Sequence, residues 1–159
     1  MDDARLRAEV VELLRGGNAH TSWEEALRGI GPRHRGQRPG PGLHTPWQLL
    51  EHMRIAQEDI LRYTLDPGWK SPAWPSGYWP AREEPTGREW QASLDAFARD
   101  LEGVIALVND PKIDLTAKIP HGEGRSYLRE ALLVADHNAY HCAQVVDARR
   151  LLGAWRKRR

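Results

Sequence analysis

The chain has 159 residues, 40% hydrophobic and 28% charged, with a formal net charge of +1. That length reads as a single domain, 1–159, with a core that stands without disulfides, and the near-neutral balance excludes a broad basic face for nucleic acid. Nothing approaches the ~20 apolar residues of a membrane span, and the single cysteine excludes an internal disulfide and suits a reducing cytoplasm.

The N-terminus, MDDARLRAEVVELL, is amphipathic and opens on two acids, unlike a signal peptide. It predicts a first helix over about 2–15, with Leu6, Val10, Leu13 and Leu14 on one stripe and Gly16-Gly17 as the stop. A short extra helix follows near 22–28. There Thr21 and Glu24, or Ser22 and Glu25, have capping-box spacing, and Gly29 ends it. Residues 31–45 (GPRHRGQRPGPGLHT) read as loop. Thr45-Pro46, an N-cap followed by proline at the first helical position, announces a second long helix to about Thr64.

Residues 66–85 (DPGWKSPAWPSGYWPAREEP) carry five prolines and three tryptophans and read as an irregular, ordered crossover. A third long helix spans about 87–108, with Trp90, Leu94, Phe97, Leu101, Val104, Ile105 and Val108 at helical spacing. Ile113 to Pro120 is extended or turn, and a fourth long helix runs over about 126–152 to Gly153. The basic run Arg156-Lys157-Arg158-Arg159 reads as a solvated tail. With no convincing strand set, the chain is all-α, most simply a four-helix bundle.

The fourth helix contains DHNAYHCAQ, in which His137 and His141 are four apart. At that spacing both imidazoles project from one helix face and can reach a single ion. The plain alternative is a pair of surface or hydrogen-bonded core histidines. Leu133, Val134, Tyr140, Val145 and Ala148 around them argue for partial burial. His52, in WQLLEHMRIAQEDIL between Leu49, Ile55 and Ala56, is the natural third ligand. It lies roughly 9 Å from the start of its helix and His141 roughly 16 Å from the end of its own, so in antiparallel helices the two levels would differ by little more than a turn, which permits a shared ion without establishing one.

Three neutral nitrogens would leave a divalent ion Lewis-acidic, with positions open to water or a thiol. The HExxH protease pattern is absent, because position 138 is asparagine. Asp136 and Glu51 adjoin candidate ligands but diverge by about 100° on their helices, as solvent-facing or supporting groups rather than bases.

The ordered segments HTSWEEAL, HTPWQLLEHMRIAQEDIL, SPAWPSGYWP and LREALLVADHNAYHCAQVVDARRLLGAW resemble the DinB-like superfamily of metal-dependent bundle proteins over nearly the whole chain. The resemblance implies up-down-down-up connectivity, a metal held at the positions of His52, His137 and His141, and a homodimer. Its understood members include thiol-dependent transferases and isomerases. The family usually has glycine where this chain has Ala143, in Cys142-Ala143-Gln144, which puts local helix approach or dimer contact in question.

The implied function is a cytoplasmic metal-dependent enzyme acting on a small-molecule substrate. Transferase chemistry with a low-molecular-weight thiol is preferred over hydrolysis. Zinc or nickel leads, with iron or manganese as alternatives. The competing reading is a non-catalytic helical binding or dimerisation module with a structural or vestigial metal. Only three convincing ligands favour an open site over a closed structural one.

Of the remaining residues, Cys142 reads as a buried inert thiol and His44 as a loop histidine that could line a pocket mouth. Trp69, Trp74, Tyr78 and Trp79 read as a plug for the open end of the bundle before walls of a cavity over the metal. Trp47 is expected to pack beneath the loop, and Tyr140 either to offer its hydroxyl near the site or to be held by helix packing.

Overall fold

A computed structural model describes residues 2–155. Helix α1 spans Asp3–Arg15, with the Asp2 carboxylate accepting from the Ala4 amide and Gly16 at φ +66° closing it. Val10 and Leu14 face inward as expected, but Leu13 is 58% exposed. Arg7 takes an inner place instead. Its guanidinium donates to the carbonyls of Val108, Asp110 and Ile113 at 2.6–3.0 Å. A cation at the end of another helix satisfies carbonyls that have no partner within that helix. The hydrophobic stripe did not anticipate this inward charge.

The short helix α2 is Trp23–Leu27, and of the two spacings Ser22 with Glu25 is used. Residues 31–45 are not wholly loop: Pro32–Arg35 form one helical turn, α3, started by proline at its first positions. Helix α4, Pro46–Leu65, begins with a full capping box between Thr45 and Gln48. Helix α5, Gly87–Asn109, begins with another between Thr86 and Glu89, which escaped the sequence reading. Helix α6, Tyr127–Leu151, is capped by Ser126. Residues 113–120 make turns, as expected, and their one pairing is an isolated antiparallel bridge from Lys118 to Ser126.

The described residues are all-helical apart from such turns and loops, with no strand. Helix α4 packs on α5 and α6, and α1 lies across both of the latter. The core between them is fully closed at Leu50, Met53, Phe97, Val108 and Val145. No described helix is long and apolar enough to cross a membrane. The basic run at 156–159 lies outside the described residues.

The crossover 66–85 is tied to α4 rather than draped over it. The buried Asp59 carboxylate accepts from Trp69 Nε1 at 2.8 Å and from the Tyr78 hydroxyl at 2.6 Å. Trp47, buried beneath the strap as expected, donates Nε1–H to the Arg82 carbonyl at 3.0 Å. A 3₁₀ turn at Ser76–Tyr78 carries the chain past the middle of α4. The strap therefore holds Tyr78 and Trp79 against His52.

Candidate metal centre

Helix α4 contributes His52, and α6 contributes His137 and His141 from successive turns of one face. The three rings stand with centroids 4.4–4.9 Å apart. One ring nitrogen from each lies within 4.8 Å of the others. The Nε2 atoms of His52 and His137 are 3.2 Å apart. Two nitrogens bound at about 2.0–2.1 Å to a tetrahedral ion stand about 3.3 Å from each other, so this spacing suits a shared ion. His52 and His141 are buried and His137 is half-buried.

The outer nitrogens of two rings are committed. His52 Nδ1–H donates to the Tyr78 carbonyl at 2.9 Å, and His141 Nδ1–H donates to Gln144 Oε1 at 2.8 Å. A proton held on Nδ1 leaves the Nε2 lone pair free, which is how metal-binding imidazoles are oriented elsewhere. Burial disfavours the cationic form of each ring. It lowers the pKa of His52 and His141, and His44 nearby pushes the same way on both. His137 is driven down to about 3 by burial and then by His141 and His52. Three neutral imidazoles that resist protonation are a donor set for a transition metal, and the site fits one.

Among the described residues no carboxylate joins the three. Asp136 is exposed. Glu51 is engaged with Arg54 at 2.7 Å and with the Ser93 hydroxyl at 2.5 Å. Cys142 is buried, and burial followed by the charge of Glu24 pushes its thiol up to about 12. It is the inert thiol its setting suggested.

The aromatic strap splits its roles. Trp79 stacks on His52 with centroids 4.0 Å apart and planes 4° from parallel, and on His44 at 4.0 Å and 19°. It is a wall of the site, against the expectation of a simple plug. Trp69 pins the strap through Asp59, and Trp74 is 77% exposed, so neither closes the site. Tyr140 meets His141 edge-on at 4.9 Å, yet is 64% exposed rather than held in the core. Ala143 is exposed.

A cleft of about 370 Å³ adjoins the centre, lined by His44, Leu43, Leu49, Gln144, Ala148 and Leu151 among others. Of these residues Gln144 touches the cluster through His141, and His44 stacks on Trp79, which in turn stacks on His52. Ligand pockets run from about 300 to 1,000 Å³, so the cleft suits a small molecule. The Gln144 partnership had a sequence signal, since position i+3 shares a helix face with His141. The Tyr78 carbonyl had none, because any residue carries one.

The imidazoles also set how the metal-free protein answers acid. Unfolded, each titrates near 6.5, whereas folded His137 stays neutral to about 3. Between those values the unfolded chain binds more protons, so stability falls as pH falls. The slope fades as pH rises past 6.5 and is small a unit above it. The urea midpoint of metal-free protein is expected to drop between pH 7.5 and pH 5, and the drop to shrink in His137→Ala.

Comparison with known families places a sequence model of the DinB superfamily over residues 17–145. That span contains all three histidines and leaves α1 outside it. No curated protein and no solved structure matches the chain.

Proposed function

The chain belongs to the DinB superfamily, and from that membership and its three converging imidazoles we propose a metal-dependent enzyme whose ion is held by His52, His137 and His141. Zinc or nickel is the first choice of metal, with iron or manganese behind them, since imidazole nitrogens serve all of these to differing degrees. The observation that carries the reading is the donor set: three neutral nitrogens together, with no acidic side chain among them. Bound there, a divalent ion supplies Lewis acidity that draws a water or a small thiol toward its deprotonated form.

The chain's own residues do the rest. Tyr78 and Gln144 hold two ligands by their Nδ1 protons. Trp79 covers one face of His52 and shields it from water. His44 and Gln144 border a cleft sized for a small-molecule substrate. Neither Cys142 nor Glu51 is placed as a nucleophile or base, so the attacking group comes from outside the chain. Transfer to or from a low-molecular-weight thiol is preferred to hydrolysis by analogy with the family alone. Up-down-down-up connectivity, a cytoplasmic homodimer and the thiol cofactor belong to the same reading.

Titrating cobalt-substituted protein with 2-mercaptoethanol tests it. A thiolate-to-metal absorption band that saturates with thiol is expected. A spectrum that stays unchanged to millimolar thiol would favour a structural metal in a non-catalytic module.

A further inference from the structure

Asp59 is a carboxylate only 9% exposed on α4, and both of its partners are neutral donors. It accepts from Trp69 Nε1 at 2.8 Å and from the Tyr78 hydroxyl at 2.6 Å. A carboxylate is among the costliest groups to take out of water and is rarely buried without partners. An apolar contact could fasten a strap to a helix at lower cost. It could not hold an indole and a phenol each in one orientation, because dispersion has no direction and a hydrogen bond has.

Tyr78 is gripped at two points by one face of α4. Its hydroxyl donates to Asp59, and its backbone carbonyl accepts the Nδ1 proton of His52 at 2.9 Å. His52 and Asp59 are two turns apart on that face, roughly 10 Å along the axis. Burial, followed by the bond to Asp59, pushes the Tyr78 hydroxyl up to about 12, so it stays a donor through neutral pH. The next residue, Trp79, lies flat on the same imidazole, with planes 4° from parallel. A further tie from Trp47 to the Arg82 carbonyl lies beyond Trp79. Asp59 is therefore the anchor on the near side of the two residues that meet His52.

We infer that Asp59 is a positioning residue for His52: through Tyr78 it fixes the strap carbonyl that takes the Nδ1 proton, and with it the direction of the Nε2 lone pair. Helix α4 sets where the His52 side chain begins, but not how its ring is turned. The Tyr78 carbonyl and the face of Trp79 set that turn. Both lie on the strap rather than on a long helix, so they are only as well placed as the strap is. Trp69 bears on the same carboxylate from further back along the strap, and reaches His52 only through Asp59. Supporting partners of this kind set the orientation and affinity of metal-binding histidines. The consequence for metal affinity rests on the function proposed above, but the orientation of the ring does not.

The test is made first on metal-free protein at pH 7.5, by following the His52 Nδ1–H in ¹H–¹⁵N spectra of the imidazoles. Tyr78→Phe deletes the hydroxyl and keeps the carbonyl. It is expected to move the His52 Nδ1–H signal upfield and to speed its exchange with water. Trp69→Phe removes a bond to the same carboxylate without releasing Tyr78, and should cost stability while leaving that signal in place. A His52 signal unmoved in Tyr78→Phe overturns the inference. So does one that moves equally in Trp69→Phe, which would make Asp59 a general brace. Zinc affinity, measured against a chromophoric chelator, is expected to fall about 10-fold in Tyr78→Phe, the low end for a supporting partner. Asp59→Leu should lose at least as much, and Asp59→Asn, which keeps an oxygen, should recover most of the loss. Should Asp59→Leu fail to fold, Tyr78→Phe, which removes a single oxygen, carries the test. Affinity equal to wild type in Tyr78→Phe would also overturn the inference. A wild type that takes up no zinc sinks the metal reading alone, because the spectra of the metal-free protein still stand.

Discussion

His52→Ala will abolish high-affinity metal binding while leaving a folded helical chain. His52 is the only ligand from α4, and without it two imidazoles of one helix face are left to hold the ion. The loss should exceed the roughly 10–100-fold typical of removing a supporting partner. The effect extends to stability, because the metal would tie α4 to α6. Free zinc at 100 times its dissociation constant should stabilise wild type by about 2.7 kcal/mol and the variant by nothing measurable. The variant's own cost is smaller. It loses the stack on Trp79 and the bond to the Tyr78 carbonyl, together on the order of 1–3 kcal/mol. Calorimetric melting of both proteins with and without zinc separates the two contributions. Equal stabilisation of variant and wild type by zinc would remove His52 from the site.

Phe97→Ala is expected to be the most damaging single change in the core. The side chain is fully buried, meets Trp23 edge-on with centroids 5.0 Å apart, and is the one phenylalanine in the chain. Truncating a buried phenylalanine costs about 3–5 kcal/mol through lost transfer energy and the cavity left behind. For a chain of this size that corresponds to a fall in Tm of roughly 6–20 °C. The Phe97 ring is not one of the three metal-binding candidates, so metal affinity below the new melting temperature should change far less than stability. Chemical denaturation and chelator competition on the same variant check both halves.

Much of the fold was legible because helix ends are written locally. Ser22, Thr45-Pro46 and Gly16 act within a few residues of themselves, and each marks the boundary observed. His137 and His141 were legible for the same reason, since a spacing of four fixes a shared face whatever else the chain does. His52 could be paired with them only by choosing among seven histidines on the apolar pattern around it, and the structure brings those three together.

What stayed hidden depends on contacts between distant segments. Arg7 points inward because the carbonyls ending α5 need donors, and nothing near residue 7 announces that need. Leu13 correspondingly turns out, against its stripe. Trp79 walls the site because Asp59 anchors the strap, a pairing no periodicity reveals. A row of hydrogen bonds from the Phe97 carbonyl through Gln57 to Asn138 joins three helices, and its members read singly as two ordinary polar residues and a core phenylalanine.

Elemental analysis of the native chain, purified without a metal-binding tag, tests the central claim most directly. Close to one divalent transition metal per chain is the result that three neutral, converging imidazoles predict, and it should vanish from a still-helical His52→Ala, His137→Ala, His141→Ala variant. Native protein that stays metal-free even after incubation with zinc or nickel would contradict the account, leaving His52, His137 and His141 as a buried polar cluster and nothing more.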